Sequence, residues 1–393
     1  MRTVSFILIM VCMVSLLCSM IPGVSENSDD SIKLLCLNIG KADCMLLLYQ
    51  DEAYLIDTGY AQTYPALETA LAQYGITHLN GVFLTHCHKD HDGGLIPLAQ
   101  SGIQVDAWYA SSIYYDVKEG EHAAVLAAKM RGQEVSWLKA GDVISAGSGA
   151  SFTVLGPLSV NTDNENNNSL VMRFSSPHGS ILFAGDMKEE EEFDLLAANA
   201  FAACDILKVG HHGDSGATTK DLLRAVQPKA AVIFTSTDEE PDTPASSTLK
   251  RLKQSGCQVY VSQEWQDALL LTLKNGFVQA EDILWNSVPP LQKGITLSID
   301  LENDTLTIRN GSSNALALDG CILYSAKGDD ALALPDAVIQ PGQAYVVGSK
   351  TTEGNMDCKW DVKRVWHQKK LDTAVLYDMY GRALARTNNG LFE

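Results

Sequence analysis

Residues 85 to 94 read Thr85-His86-Cys87-His88-Lys89-Asp90-His91-Asp92-Gly93-Gly94. Three imidazoles and two carboxylates in ten residues are too dense for an ordinary solvated face and too polar for a core. The stretch follows an apolar, strand-like run, G-V-F-L-T, at residues 81 to 85. In extended backbone, side chains two apart point the same way, so His86 and His88 can reach one metal ion while Cys87 points away. Asp90 and His91 come where D-H-D-G-G-L-I-P-L-A begins a helical pattern. That change of geometry lets them face a second ion. Neutral imidazole and carboxylate suit zinc, and also manganese or iron. A surface loop with chance histidines leaves this spacing unexplained.

Working outward, short apolar runs such as I-K-L-L-C-L, C-M-L-L-L-Y and A-Y-L-I-D-T-G precede the cluster. Helical patterns such as P-A-L-E-T-A-L-A-Q-Y and H-A-A-V-L-A-A-K-M are interspersed with later runs. Buried strands alternating with helices predict an α/β domain over residues 32 to 282. Two of its later strands end on ligand-type residues: I-L-F-A-G-D on Asp186, and D-I-L-K-V-G-H-H-G-D on His211 and His212. Ligands of α/β proteins gather outside the carboxyl ends of strands, where all of these sit. Alone, Asp186 would read as a helix N-cap before K-E-E-E-E-F. The acidic run Glu189 to Glu192 reads as a solvated face at a helix N-terminus.

The rest of the chain sets bounds. With 393 residues, 46% of them hydrophobic, two or three cored domains are expected, and a net charge of −19 disfavours a broad electrostatic grip on nucleic acid or anionic membrane. Bound divalent cations would invert that sign locally. Residues 1 to 25, with Arg2, an apolar run from Phe6 to Ile21 and small residues Gly23-Val24-Ser25, predict a cleaved secretory signal and an extracellular or cell-surface location. A polar linker spans 26 to 31. Setting aside Cys12 and Cys18, seven scattered cysteines remain, with no C-x-x-C spacing. Cys321 and Cys358 could pair.

Taken together, H-x-H-x-D-H, then G-D, then H-H-G resembles the metallo-β-lactamase superfamily, over roughly residues 31 to 275. Within it the chain is most similar to the hydrolase domain of ComEC-type DNA-uptake proteins, through G-K-A-D ending at Asp43, L-I-D-T-G around Asp57, and N-N-N-S-L at 166 to 170. The resemblance implies an αββα sandwich and two divalent ions, zinc or manganese, sharing a bridging hydroxide. On this pattern His86 and His88 hold one ion, Asp90, His91 and His211 the other, and Asp186 bridges. Asp57 supports from behind, Asp90 orients the nucleophile, and His212 is a candidate to protonate the leaving group. Many members carry a further histidine where this chain has Asn168 and Ser169. Asp214, after H-H-G, adds a ligand or caps the next helix. His78, His122, His178 and His367 are expected to be structural or solvated.

After W-N-S-V-P-P-L-Q-K-G, a linker around 283 to 292, residues 293 to 393 alternate at period two and predict a small all-β, Ig-like sandwich. The pattern resembles a lamin-tail domain, which implies tethering to DNA or a surface. Within it, K-W-D-V-K-R-V-W-H-Q-K-K at 359 to 370 interleaves basic residues with Trp360 and Trp366. Such a stretch can hold nucleic acid, but buried tryptophans and solvated lysines are the commoner arrangement. The expected activity is that of a secreted two-metal phosphodiesterase or DNase acting on extracellular DNA or another phosphodiester. The alternatives are hydrolysis of a lactam, lactone or thioester, and a non-catalytic DNA- or surface-docking protein.

Overall fold

The computed structural model describes residues 30 to 115 and 121 to 391. The proposed signal segment lies outside them. Two sheets face each other. The first has eight strands in the order Phe277–Ile283, Ala268–Lys274, Ile32–Leu37, Cys44–Tyr49, Glu52–Thr58, Gly81–Leu84, Trp108–Ser111 and Val135–Leu138. It is antiparallel up to Glu52–Thr58 and parallel beyond it. The second has seven, running from Gln258–Val261 through Ala230–Ile233, Ile206–Lys208, Gly179–Phe183, Val171–Ser176 and Ala150–Gly156 to Val143–Ala146.

The period-two pattern explains why both sheets are sandwiched. Along Ile32–Leu37, Ile32, Leu34 and Cys36 point between the sheets, where they join a core with Phe83, Phe152, Phe174 and Phe183. Leu35 and Leu37 point outward, onto a core shared with the helices Tyr64–Gln73, Leu95–Gln100 and Ala123–Met130. The second sheet is covered likewise by Glu189–Ala197, Lys220–Val226 and Ser246–Ser255. A strand buried on both faces reads as a nearly continuous apolar run, which is what I-K-L-L-C-L is. The result is the αββα sandwich.

The glycine pair that closes the histidine cluster also has a cause. A Cβ on Gly93 would lie 2.6 Å from the Ala61 amide nitrogen, and one on Gly94 2.4 Å from the Thr58 carbonyl oxygen. The turn Lys89–Asp92 therefore packs backbone to backbone against the end of Glu52–Thr58.

The C-terminal region is strand-rich, with no helix among its described residues. One sheet holds Ile295–Asp300, Thr305–Asn310, Ala344–Gly348 and Cys358–Lys359; the other holds Asp330–Ala333, Ile322–Ser325, Thr373–Tyr377 and Ala383–Asn388. Trp360 and Trp366 are buried in the core between them, edge to face at 6.1 Å. These tryptophans are core, not a base-stacking platform. Cys321 and Cys358 are free thiols. The two domains touch: Thr373 Oγ1 donates to the Asp238 carbonyl at 2.7 Å, Arg386 Nε lies 3.3 Å from Glu239 Oε1, and Lys89 Nζ lies 2.8 Å from Asp329 Oδ1. No helix among the described residues is long and apolar enough to cross a membrane.

Candidate metal centre

Each ligand-type residue sits just past the carboxyl end of a strand or the turn that follows it. His86 and His88 follow Gly81–Leu84, and Asp90 and His91 lie in the turn Lys89–Asp92. Asp186 follows Gly179–Phe183, and His211 and His212 follow Ile206–Lys208. One sheet thus supplies the first group and its partner sheet the second.

Asp186 is the centre. Its Oδ2 lies 3.2 Å from His91 Nε2, 3.2 Å from His212 Nε2 and 3.7 Å from His86 Nε2. His212 Nε2 is also 3.3 Å from Asp90 Oδ2. Ligand atoms converge in two overlapping trios, His86–His91–Asp186 and Asp90–His91–His212, all buried, with a third buried trio, Asp43–Asp57–His91, behind them. His88, half-buried, brings Nδ1 to 2.9 Å from His86 Nε2.

Behind this layer lies a second set of carboxylates. Asp57 Oδ2 faces His91 Nδ1 at 2.8 Å, while its oxygens also accept from the Thr85 amide and hydroxyl, both at 2.8 Å. Asp43 pairs with Lys208 Nζ, whose ammonium also reaches Asp186 Oδ1 at 3.4 Å. Asp43 Oδ1 lies 3.6 Å from His212 Nδ1. Ser169 Oγ accepts from the Asp186 amide at 3.0 Å, which fixes the central carboxylate. Asn168 is turned into its own loop, with its amide nitrogen donating to Glu165 Oε2 and to the Asn161 carbonyl.

Whether these residues suit divalent cations can be judged from their unmet demands. His91 Nε2 and His212 Nε2 are buried and make no well-aligned hydrogen bond, although Asp186 Oδ2 lies 3.2 Å from each. Burial alone would strip protons from both rings. Asp186, Asp57 and Asp43 outweigh it at His91, which is held well above the ordinary imidazole range. Asp186 and Asp90 do the same for His212, which is held at about 9. At Asp186 burial favours the neutral acid, but His212, His91 and Lys208 pull the carboxyl well below its usual range. His86, away from most of the carboxylates, is pushed well down by burial and by His91, as a neutral ligand should be. A buried carboxylate cluster that draws positive charge, with imidazole nitrogens aimed inward, fits divalent ions.

At H-H-G the two rings go to different places. His212, not His211, enters the cluster with Asp90 and His91. Its ring is completely buried, with Nδ1 3.1 Å from the Phe234 carbonyl oxygen. His211 stands at the rim, its Nδ1 3.9 Å from Asp214 Oδ2, and burial pushes it down to about 4. Asp214 meanwhile accepts from the Gly216 amide at 2.7 Å and pairs with Lys188 at 3.4 Å, so it caps its own turn. The strand Ile206–Lys208 carries the backbone into this junction, where His211 and His212 both take positive φ.

Three contributors escaped the sequence reading as site residues: Asp43, Lys208 and Lys41. Lys208 had a signal, a lone lysine in the run I-L-K-V, and it is 1% exposed. Lys41 lies 3.3 Å from Asp90 Oδ2 and 3.0 Å from Glu240 Oε2. The bystander histidines fall where expected: His122 caps Ala123–Met130, and His178 lies at a hairpin turn against Asn275.

A sandwich of this kind with histidine and aspartate ligands at its strand ends defines a class, the metal-dependent hydrolases of the metallo-β-lactamase fold. Residues 37–237 match the Metallo-beta-lactamase superfamily, and the chain belongs to it. Its relatives include Competence protein ComA of Neisseria gonorrhoeae, 24% identical over 246 residues, 62% of this chain and 32% of that protein. ComE operon protein 3 of Bacillus subtilis is 26% identical over 261 residues, covering 62% of this chain and 32% of that protein. Recombination protein 2 of Haemophilus influenzae is 26% identical over 242 residues, 60% of this chain and 28% of that protein. The chain thus spans about a third of the length of the curated relatives it matches. Among solved structures, the metallo-beta-lactamase fold protein YhfI of Bacillus subtilis aligns with a TM-score of 0.40 at 15% identity, covering 64% of this chain and all of that one. The superfamily match ends well before the C-terminal strands.

Proposed function

We propose that the protein is an extracellular phosphodiesterase that cleaves single-stranded DNA, exported by its N-terminal apolar segment. The observation that carries this reading is the pair of buried ligand trios, His86–His91–Asp186 and Asp90–His91–His212, that share His91. His86, His88 and Asp186 would hold one zinc or manganese ion, and Asp90, His91, His212 and Asp186 the other. When bound, such ions supply an activated water and a clamp for the oxygens of the attacked group. The chain's own residues do the positioning. Lys41 sits beside Asp90 and keeps its carboxyl ionised against the burial that opposes it. Asp57 holds the His91 ring by Nδ1, so that Nε2 faces the cluster. His211 is the imidazole at the rim that an incoming substrate meets.

Two features favour a phosphodiester over a lactam or thioester. The loop at 166 to 170 contains no histidine, and its Asn168 is spent on Glu165 and Asn161. The relatives' names also place those proteins in competence and recombination. The lamin-tail likeness of residues 293 to 393 belongs to this proposal and rests on their sequence pattern.

The test is hydrolysis of single-stranded DNA by the protein without its first 25 residues, loaded with Mn²⁺ or Zn²⁺, against Asp186→Ala. Cleavage that requires metal and is lost in the variant supports the reading. Bound metal with intact DNA would redirect attention to small diesters, lactones and thioesters.

A further inference from the structure

The C-terminal domain does not hang free of the metal centre. A cleft of about 500 Å³ runs between the two domains, lined by Lys41, Lys89, Asp90 and Glu240 on one side and Lys327 and Thr373 on the other. Asp90 belongs both to this cleft and to the ligand cluster, so the cleft reaches the metal centre itself. Its size falls in the range of small-molecule sites, and domain interfaces are preferred places for them. A cleft this size suits one extended strand or a small diester better than a duplex.

The charges in the cleft are unevenly committed. Lys41 is held by Asp90 and Glu240. Lys89 is held by Asp329 and by the Ala326 carbonyl, and it lies over the Tyr324 ring at 5.4 Å. Of the other two carboxylates lining the cleft, Glu239 is met by Arg386 and Asp242 is exposed. Lys327 is exposed and, among the described residues, is the one lysine of the cleft with no carboxylate partner. Its backbone is nonetheless fixed, because its amide donates to Asp372 Oδ1 at 3.0 Å and the preceding carbonyl accepts from Lys89. A fixed backbone under an uncommitted ammonium is a suitable mount for an anion.

We propose that the interdomain cleft is the path by which substrate reaches the metals, and that Lys327 binds a phosphate flanking the scissile bond. This rests on the phosphodiesterase reading and makes the C-terminal domain part of the substrate site rather than a tether alone.

The test uses the full mature chain, loaded with Zn²⁺, and its Lys327→Ala, Lys327→Glu and Lys327→Arg variants. Binding of a short fluorescent phosphorothioate single strand is read by anisotropy. Turnover of the ordinary strand and of bis(p-nitrophenyl) phosphate, which has no flanking phosphate, is read separately. Loss of the ammonium should weaken strand binding roughly fivefold and charge reversal more, with arginine retaining it. Turnover of the small diester should stay within about twofold of wild type, since the surrounding fold is unchanged. Equal binding by wild type and Lys327→Glu, no strand binding at all, or parallel losses on both substrates would each overturn the inference. Lysine-dependent binding without cleavage of the ordinary strand would instead leave the cleft standing and remove the DNase reading.

Discussion

Asp57 Oδ2 stands 2.8 Å from His91 Nδ1, with both side chains fully buried, so a carboxylate that meets no solvent fixes the ring shared by both ligand trios. A partner of this kind sets the tautomer and raises ligand basicity. Asp57→Asn keeps the shape and removes the charge. Metal affinity should fall by about 10- to 100-fold, read by competition with a chelator of known strength. An unchanged affinity would mean that Asp57 serves only the Thr85 turn.

The two neighbouring histidines of H-H-G offer a direct comparison. His212→Gln should lower the metal bound per chain, measured by atomic emission, because its Nε2 faces both Asp90 and Asp186. His211→Gln should keep the full metal content and act on turnover instead. The reverse pattern would restore His211 as ligand.

Lys208 is a buried cation between two buried carboxylates, Asp43 and Asp186. Removing one partner of such a set leaves uncompensated charge. Lys208→Met should therefore cost about 3–5 kcal/mol in urea unfolding of the metal-free protein. Bound metal should shrink the loss, since it neutralises Asp186 by another route. A midpoint equal to that of wild type would count against the pairing.

His122 reports on pH away from the metals. Burial pushes it from 6.5 down to about 4, and its Nδ1 accepts from the Ala124 amide as the cap of Ala123–Met130. The unfolded chain takes up this proton near pH 6.5, the folded chain only near about 4, so the unfolded state binds more protons between them. The stability contribution is full above 6.5 and is lost as pH falls toward 4. Subtracting the stability profile of His122→Gln from that of wild type should give a difference that declines across this window. A flat difference would refute the assignment.

Much of this could be read from the chain because the local signals agreed. Runs such as I-L-F-A-G-D combine strand, turn and ligand in six residues, and a period-two alternation with both faces apolar has few outcomes besides an inner strand. What could not be read was the choice between adjacent histidines. His211 and His212 both follow the strand and both take positive φ, and nothing in H-H marks which ring turns inward. Asp43 and Lys208 were hidden for another reason. Each is a single charged residue in an apolar setting, and their meeting is set by the packing of two separate sheets. The tryptophans in K-W-D-V-K-R-V-W were ambiguous until their neighbours were known, since a core residue and a stacking platform share a composition.

The backbone around the cluster is stitched directly to itself. The Asp43 amide donates to the Asp90 carbonyl, the Gly59 amide to Asp43, the Gly94 amide to Gly59, and Thr58 Oγ1 to the His91 carbonyl. Three segments distant in sequence are thereby tied by hydrogen bonds that involve no ligand atom. Such a cage is built when the sheets close, and its ordering entropy is settled then rather than when an ion arrives. Chelation should leave the circular dichroism of the sheets intact, in contrast to small domains that collapse without their zinc. An ion would be admitted by fit and supply, as a tenant of a finished room.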